Sequence, residues 1–415
     1  MNEETVAALV VIIAVAVIAP FVADRLQAWL AVPVVVAEIL LGIVVGPDAL
    51  GLVTVTDGDV VSALSDLGLA FLMFLAGYEI DFARIKGRPL RLAVLGWLGS
   101  LVLGGGIGFL LGGAGEAGLV VGLALATTAL GTILPILRDS GHASTSFGVR
   151  VLAVGAVGEF GPILGIAFAL SGDRPVHTTV VLVLFAIAGV FAAWVAHRPR
   201  QRRTARLVTA TLGTSAQLGV RICVFVVIGM FALAEFLGLD PILGAFTAGI
   251  VVHLFLAAGS EHEAEEVLSR LEGIGFGFFI PLFFVVSGVR FDLDALFSST
   301  RALVLLPVFL VLFLVVRGIP TWLLHRTELP ERQPVALGLF AATTLPLVVV
   351  ITSIGVKDGA LMSATAASLV GAGMISVLVF PLLGLRLLSA GETVEVEEAG
   401  EQVDRPVKRT DLLGY

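Results

Sequence analysis

Charge, cysteine and histidine are scarce in this sequence, and each shortage removes a class of protein. Only 14% of its 415 residues are Asp, Glu, Lys or Arg, against 58% apolar residues, and the mean hydropathy is +1.05. No water-soluble domain of 43.2 kDa needs that much apolar surface. The single cysteine, Cys223, lies in an apolar run, which excludes an internal disulfide and a cysteine-built metal cage. The six histidines form no cluster with cysteine at ligand spacing. A phosphate-cradling loop and a nucleophile triad are missing too, so a metalloenzyme or an ATPase is unsupported. The chain is read as a non-enzyme without cofactor or metal. Its net charge of −8 reflects acidic loops and an acidic tail and gives no reason to expect a nucleic-acid partner. A cleavable signal is not expected, because the first apolar run continues past a plausible signal core and has acidic flanks.

What the sequence has in abundance is long apolar runs and glycine. Thirteen apolar spans, most of about 17–26 residues and the last longer, have the length needed to cross roughly 30 Å of hydrocarbon as helix. They cover 5–23, 31–47, 60–77, 89–113, 116–137, 147–171, 176–197, 216–237, 241–257, 271–289, 300–325, 334–354 and 360–388. Strands are not expected, because the runs are too long and do not alternate. The 48 glycines suit helices that approach closely in lipid. An all-α membrane protein follows, its transmembrane domain at 1–390. The segment 259–272 is expected to form a short acidic surface helix, and 391–415 a disordered acidic tail.

Basic residues set the orientation. Odd-numbered loops hold Arg84, Lys86, Arg88, Arg138, Arg326, Arg332 and the cluster Arg198, Arg200, Arg202, Arg203 and Arg206; even-numbered loops hold only Arg174, Arg290, Arg301 and Lys357. By the positive-inside rule the N-terminus is expected outside and the C-terminus in the cytoplasm of a multi-pass plasma-membrane protein.

The two halves then prove related. GLALATT (122–128) and GLFAATT (338–344) agree at Gly, Leu, Ala, Thr and Thr, and Pro135 and Pro346 follow them as helix breakers. FLMFLAGYEIDF (71–82) resembles LFFVVSGVRFDL (282–293), and AEILLGIVVG (37–46) resembles DPILGAFTAG (240–249) more loosely. Three matches in order divide the chain into a first repeat (5–171), a linker helix (176–197) and a second repeat (216–388). Six spans return the chain to its starting side, so the one extra helix inverts the second repeat. Paired, interrupted spans in inverted repeats are how secondary transporters build a mid-membrane binding site.

Ionisable groups within spans are costly and therefore functional candidates. Glu159, in VGAVGEFGPILG (154–165), leads. A desolvated carboxylate can alternate between a proton and a dehydrated monovalent cation. Locking two helices together is the competing role. Arg317, deep in span 11, is expected to be its charge partner. Thr127, Thr128, Thr343 and Thr344 could supply hydroxyls and freed carbonyls to the ion, or hydrogen-bond back to their own helices. Asp66 could flank a water-filled funnel; Glu79 and Asp81 are expected at the interface, and His253 packed within its helix. Glu38 is a further acid near a span end.

Four segments, VPVVVAEILLGIVVGPDALG (32–51), LGLAFLMFLAGYEIDF (67–82), LDPILGAFTAGIVV (239–252) and FFIPLFFVVSGVRFDL (278–293), resemble the cation:proton antiporter superfamily, of the bacterial sodium/proton or potassium/proton exchanger type. The resemblance covers nearly the whole chain. It implies the sodium/proton antiporter fold and a homodimer whose core bundle moves against a dimerisation bundle. It also implies exchange of a monovalent cation for protons across the lipid bilayer. Crossed, unwound helices match the two ATT segments, and the family's basic residue near the ion site matches Arg317. Members of the potassium-efflux type often carry a cytoplasmic nucleotide-binding domain, for which the last 25 residues are expected to be too few. One departure stands out. The family carries a polar or acidic pair in span 6, its second residue binding the ion, and aligning VGEF (157–160) places Glu159 first and Phe160 second. Either Glu159 serves alone, shifted by one position, or the ion is bound elsewhere, or exchange is lost. A lone carboxylate favours electroneutral one-for-one exchange. A non-exchanging sensor or binding protein, and an organic-solute transporter on the same scaffold, remain the alternatives.

Overall fold

The computed structural model describes residues 3–27, 33–56, 58–79, 85–113, 115–143, 145–169, 217–237, 241–257, 261–330 and 332–403. Twelve of the thirteen expected spans fall on helices in it, and among the described residues ten helices are long and apolar enough to cross a membrane, Val34–Val45 and Pro241–Leu256 being shorter; span 7, with the linker it forms, lies outside the described residues, as do Asp81 and residues 404–415 of the tail. The first half comprises α1 (Glu3–Gln27), α2 (Val34–Val45), α3 (Val60–Tyr78), α4 (Arg88–Gly112), the half-helices α5 (Glu116–Leu125) and α6 (Leu130–Asp139), and α7 (Ser146–Ala169). The second comprises α8 (Leu218–Phe236), α9 (Pro241–Ala257), the acidic surface helix α10 (Glu261–Ile274) and α11 (Ile280–Val289). After a short α12 (Leu293–Ser298) come α13 (Thr300–Phe313), α14 (Ile319–His325), the half-helices α15 (Gln333–Ala342) and α16 (Pro346–Lys357), and α17 (Ser363–Val403), which runs on into the stretch read as a tail.

Local chemistry sets several boundaries. The Asp59 carboxylate accepts from the Ser62 N–H at 2.6 Å and caps α3; Asp292 does the same for Ala295 at 2.7 Å. Two π-helical turns, Gly275–Phe279 and Leu314–Gly318, join α10 to α11 and α13 to α14. Each ends on an Ile-Pro step: the N–H of Ile280 reaches back five residues to Gly275, and that of Ile319 to Leu314. The proline that follows cannot donate, so the wider turn is resolved at the position where the regular ladder is already broken.

The helices sort into two bundles. α1, α2, α3, α8, α9 and α11 pack on one another as a scaffold, and α4 to α7 pack with α13 to α17. A seam separates them, crossed where α3 meets α6, α9 meets α7 and α2 meets α17.

Glycine contacts reveal the repeat in three dimensions. A Cβ on Gly42 would overlap the Val285 carbonyl of α11, and one on Gly288 the Ile39 carbonyl of α2. In the related crossing, a Cβ on Gly77 would overlap the Phe246 carbonyl of α9, and one on Gly249 the Phe74 carbonyl of α3. Gly104 against Gly122 is likewise repeated as Gly318 against Gly338. Glycine thus joins α2 to α11 and α3 to α9 in two related crossings between the halves, and repeats one close contact within each half. Gly249→Ala is expected to force α3 from α9 at a cost of roughly 1–3 kcal/mol, read as a lower unfolding midpoint in detergent. Gly229→Ala on α8, where a Cβ meets nothing within 4 Å, should leave that midpoint level or slightly raised.

Candidate functional site

Spans 5 and 12 break where the ATT repeats fall, and the breaks cross. α5 ends at Leu125 and α6 starts at Leu130; α15 ends at Ala342 and α16 starts at Pro346. Backbone groups released by unwinding pair across the gap, the N–H of Ala129 donating to the Thr343 carbonyl at 2.9 Å. The Thr128 hydroxyl donates to the Ala341 carbonyl at 2.6 Å, and the Thr127 and Thr344 hydroxyls bond each other. Thr127 also bonds the Ala124 carbonyl, and Thr343 the Leu339 carbonyl one turn back. Ser376 of α17 closes the second strand, accepting from the Thr344 N–H at 3.0 Å. The four threonines therefore stitch the crossing together, and all four are buried.

The segment Gly158–Pro162 of α7 can be read residue by residue. Pro162 has no N–H, so the Gly158 carbonyl lacks its intrahelical donor although α7 runs on to Ala169. That carbonyl accepts the Thr128 N–H at 3.0 Å and ties the crossing to α7. A Cβ on Gly158 would overlap Arg317 Nη2 and lie 2.6 Å from Thr128 Oγ1, so glycine here makes room for both. Gly161 in turn admits the Trp97 indole, whose Nε1 donates to the Ala126 carbonyl at 3.2 Å. Phe160 turns towards the scaffold and stacks on Phe246, centroids 5.3 Å apart.

Glu159 is left facing the crossing, 2% exposed, with the N–H of Leu130 as its backbone hydrogen-bond neighbour. Leu130 is the first residue of α6, so the carboxylate lies at the positive end of a half-helix. Its Oε2 has no hydrogen-bond partner. Thr132, in the first turn of α6, also has a buried hydroxyl without a partner.

The structure does not bring Arg317 to Glu159. The guanidinium, fully buried on the π-helical turn, donates through Nε to Thr128 Oγ1 at 2.9 Å, through Nη1 to Ser100 Oγ at 3.2 Å and through Nη2 to the Val154 carbonyl at 3.2 Å. All three acceptors are neutral, and no ion pair joins it to Glu159 among the described residues. The expected pairing assumed that two buried opposite charges must meet; three neutral acceptors and the negative end of α15, reached through Thr128, take the place of a carboxylate. Asp66 is exposed on α3 and is not among the residues gathered at the crossing, whereas Glu38 is buried in α2. Trp97, Thr132 and Ser376 belong to the site although sequence reasoning gave them no role; Gly158, in the Gly-Glu-Phe-Gly-Pro run, was legible as a glycine that lets another group approach.

This architecture has relatives. The family described as "Sodium/hydrogen exchanger, transmembrane" matches residues 12–388. The putative Na(+)/H(+) antiporter YjbQ of Bacillus subtilis is 30% identical over 95% of this chain, which spans 65% of that relative's length. The Na(+)/H(+)-K(+) antiporter GerN of Bacillus cereus is 29% identical over 72% of this chain and 76% of its own. The solved structure of the sodium proton antiporter MjNhaP1 of Methanocaldococcus jannaschii shares the fold, with a TM-score of 0.63 at 16% identity over 93% of this chain and all of that one.

Proposed function

Because the chain belongs to the transmembrane sodium/hydrogen exchanger family, we propose that it exchanges a monovalent cation for protons by alternating access, with Glu159 as the shared site. The observation that carries this reading is a single buried carboxylate with an unused oxygen, placed where two broken helices cross. A proton and a monovalent cation each neutralise that one charge, so they exclude each other there and one-for-one exchange follows. Thr127, Thr128, Thr343 and Thr344 hold the crossing rigid behind the ion, and Thr132 offers it a hydroxyl. Phe160 belongs to the seam, which supports the reading in which the ion-binding position is Glu159 and the residue before it is Gly158. Arg317 sets the charge balance of the crossing.

The names of relatives support sodium or potassium as the cation. The basic loops support a cytoplasmic C-terminus in the plasma membrane, with the N-terminus outside. A homodimer formed through the scaffold bundle accords with the division into two bundles. The test is cation-induced proton movement in proteoliposomes loaded at low pH. Addition of sodium, potassium or lithium should alkalinise the lumen in a saturable way. Folded, inserted protein that moves no protons with any of the three would leave a non-exchanging binding protein or a solute carrier.

A further inference from the structure

Among the described residues, two carboxylates have a buried oxygen without a hydrogen-bond partner: Glu159, already placed at the crossing, and Glu79. They lie on opposite sides of the seam. Glu159 belongs to α7 in the bundle of α4 to α7 and α13 to α17, and Glu79 directly follows α3 in the scaffold. Between them runs α6, which packs on both α3 and α7. Its first residue, Leu130, neighbours Glu159, and its last turn carries Arg138, whose charge acts on Glu79. From Leu130 to Arg138 is roughly 12 Å along a helix rising 1.5 Å per residue. Glu159 therefore stands beside the first residue of this half-helix, and Glu79 lies within electrostatic reach of its last turn.

The surroundings of Glu79 are not those of a residue locked into the fold. Arg138 attracts it from α6 and Glu272 repels it from α10, yet no ion pair holds it among the described residues. Its neighbour Tyr78 meets the edge of His253 on α9, centroids 5.1 Å apart, and the buried Nδ1 of that histidine is also without a partner. A carboxylate oxygen buried without a bond, on a side chain that is itself half-buried, carries a desolvation cost that packing alone does not offset. Positive-inside orientation puts the end of α3, with Arg138 and α10, at the cytoplasmic face.

We propose that Glu79 is a second carboxylate station for the transported ion, on the scaffold side of the seam at the cytoplasmic entrance to Glu159. An arriving cation takes up the open oxygen of Glu79 and then passes along α6 to Glu159; a proton leaves by the same carboxylates in reverse. Because one station is on each bundle, any sliding of the bundles changes the distance between them. Glu79 therefore serves entry from one side only. The inference rests on the exchange reading above.

The test is sided kinetics in proteoliposomes of known orientation, with cation titrated from each face. Glu79→Gln should raise the half-saturating cation concentration about tenfold from the cytoplasmic face, a change of roughly 1.4 kcal/mol, and leave the opposite face within about twofold. Glu79→Asp should recover most of the loss. Half-saturation unchanged at both faces, or raised equally at both, overturns the station. If Glu79→Gln does not insert, Glu79→Ala carries the test: a one-sided rise supports the station and none overturns it. Active wild type with unaltered Glu79 variants removes only this inference, whereas inactive wild type removes the exchange reading and this one with it.

Discussion

Glu159→Gln is expected to abolish cation-dependent proton movement, lowering it by at least about a hundredfold, with the protein still folded and inserted. Glutamine keeps the shape of the side chain and its capacity to bond the Leu130 N–H, but it neither takes up a proton nor offsets the charge of a cation. Because the acid makes no ion pair with Arg317, its replacement does not leave an opposite charge suddenly unpaired. The fold should therefore tolerate the change, and the unfolding midpoint should stay level or rise as a buried charge is removed. A structural role makes the opposite forecast, a lower midpoint with flux lost in proportion to the folded fraction. In the wild type, competition of proton and cation for one carboxylate also fixes the form of the pH response. Lowering pH should raise the half-saturating cation concentration, since protons occupy the site, and raising pH should slow the proton-loaded return. The result is a bell-shaped rate profile, which Glu159→Asp should displace rather than remove. Glu159→Gln protein with flux comparable to wild type would dismiss Glu159 as the site.

The repeats show why the fold was legible in the sequence and the site only partly so. Spans, breaks and the doubling of the chain are written in hydropathy and in short runs such as ATT, because lipid forces each helix to satisfy its own backbone and each interruption to be paired elsewhere. Glu159 was legible for the same reason, as a charge where charge is expensive. What pairs with what was not. Arg317 and Glu159 are the obvious couple in a one-dimensional reading, but the π-helical turn at Leu314–Gly318 rotates Arg317 towards Thr128, Ser100 and Val154. Register shifts of that kind leave no periodic signature. Phe160 misled for a related reason: a pair of adjacent helix positions points about 100° apart, and only the structure shows which of Gly158, Glu159 and Phe160 faces the crossing. Gly158 is legible afterwards as the place where a side chain is missing so that Arg317 can enter.

Arg317→Met is expected to separate stability from transport in the opposite sense to an ordinary core mutation. Removing the guanidinium strands no partner: Thr128 Oγ1 still donates to the Ala341 carbonyl, Ser100 Oγ still donates to the Gly96 carbonyl at 2.9 Å, and the Val154 carbonyl lies within α7. Methionine fills much of the vacated volume, and a charge desolvated against neutral groups is gone. The unfolding midpoint should therefore hold or rise. Transport should change because the charge of the crossing changes. With arginine present, an empty Glu159 leaves the crossing neutral and a loaded one leaves it at +1. With methionine, the values become −1 and neutral. Two unit charges sharing such a crossing at an effective dielectric near 20 repel by roughly 2 kcal/mol, so loss of Arg317 should tighten cation binding by about tenfold or more. Release then slows, and maximal flux should fall by a similar factor while half-saturation drops. Arg317→Lys keeps the charge and should stay near wild type in half-saturation even if its three-armed contacts are lost. Sided flux titrations and thermal unfolding on the same preparations check all of this. A lowered midpoint with unchanged half-saturation in Arg317→Met would make the arginine a structural brace, and the charge balance of the crossing would then have to rest on Glu159 and the half-helix ends alone.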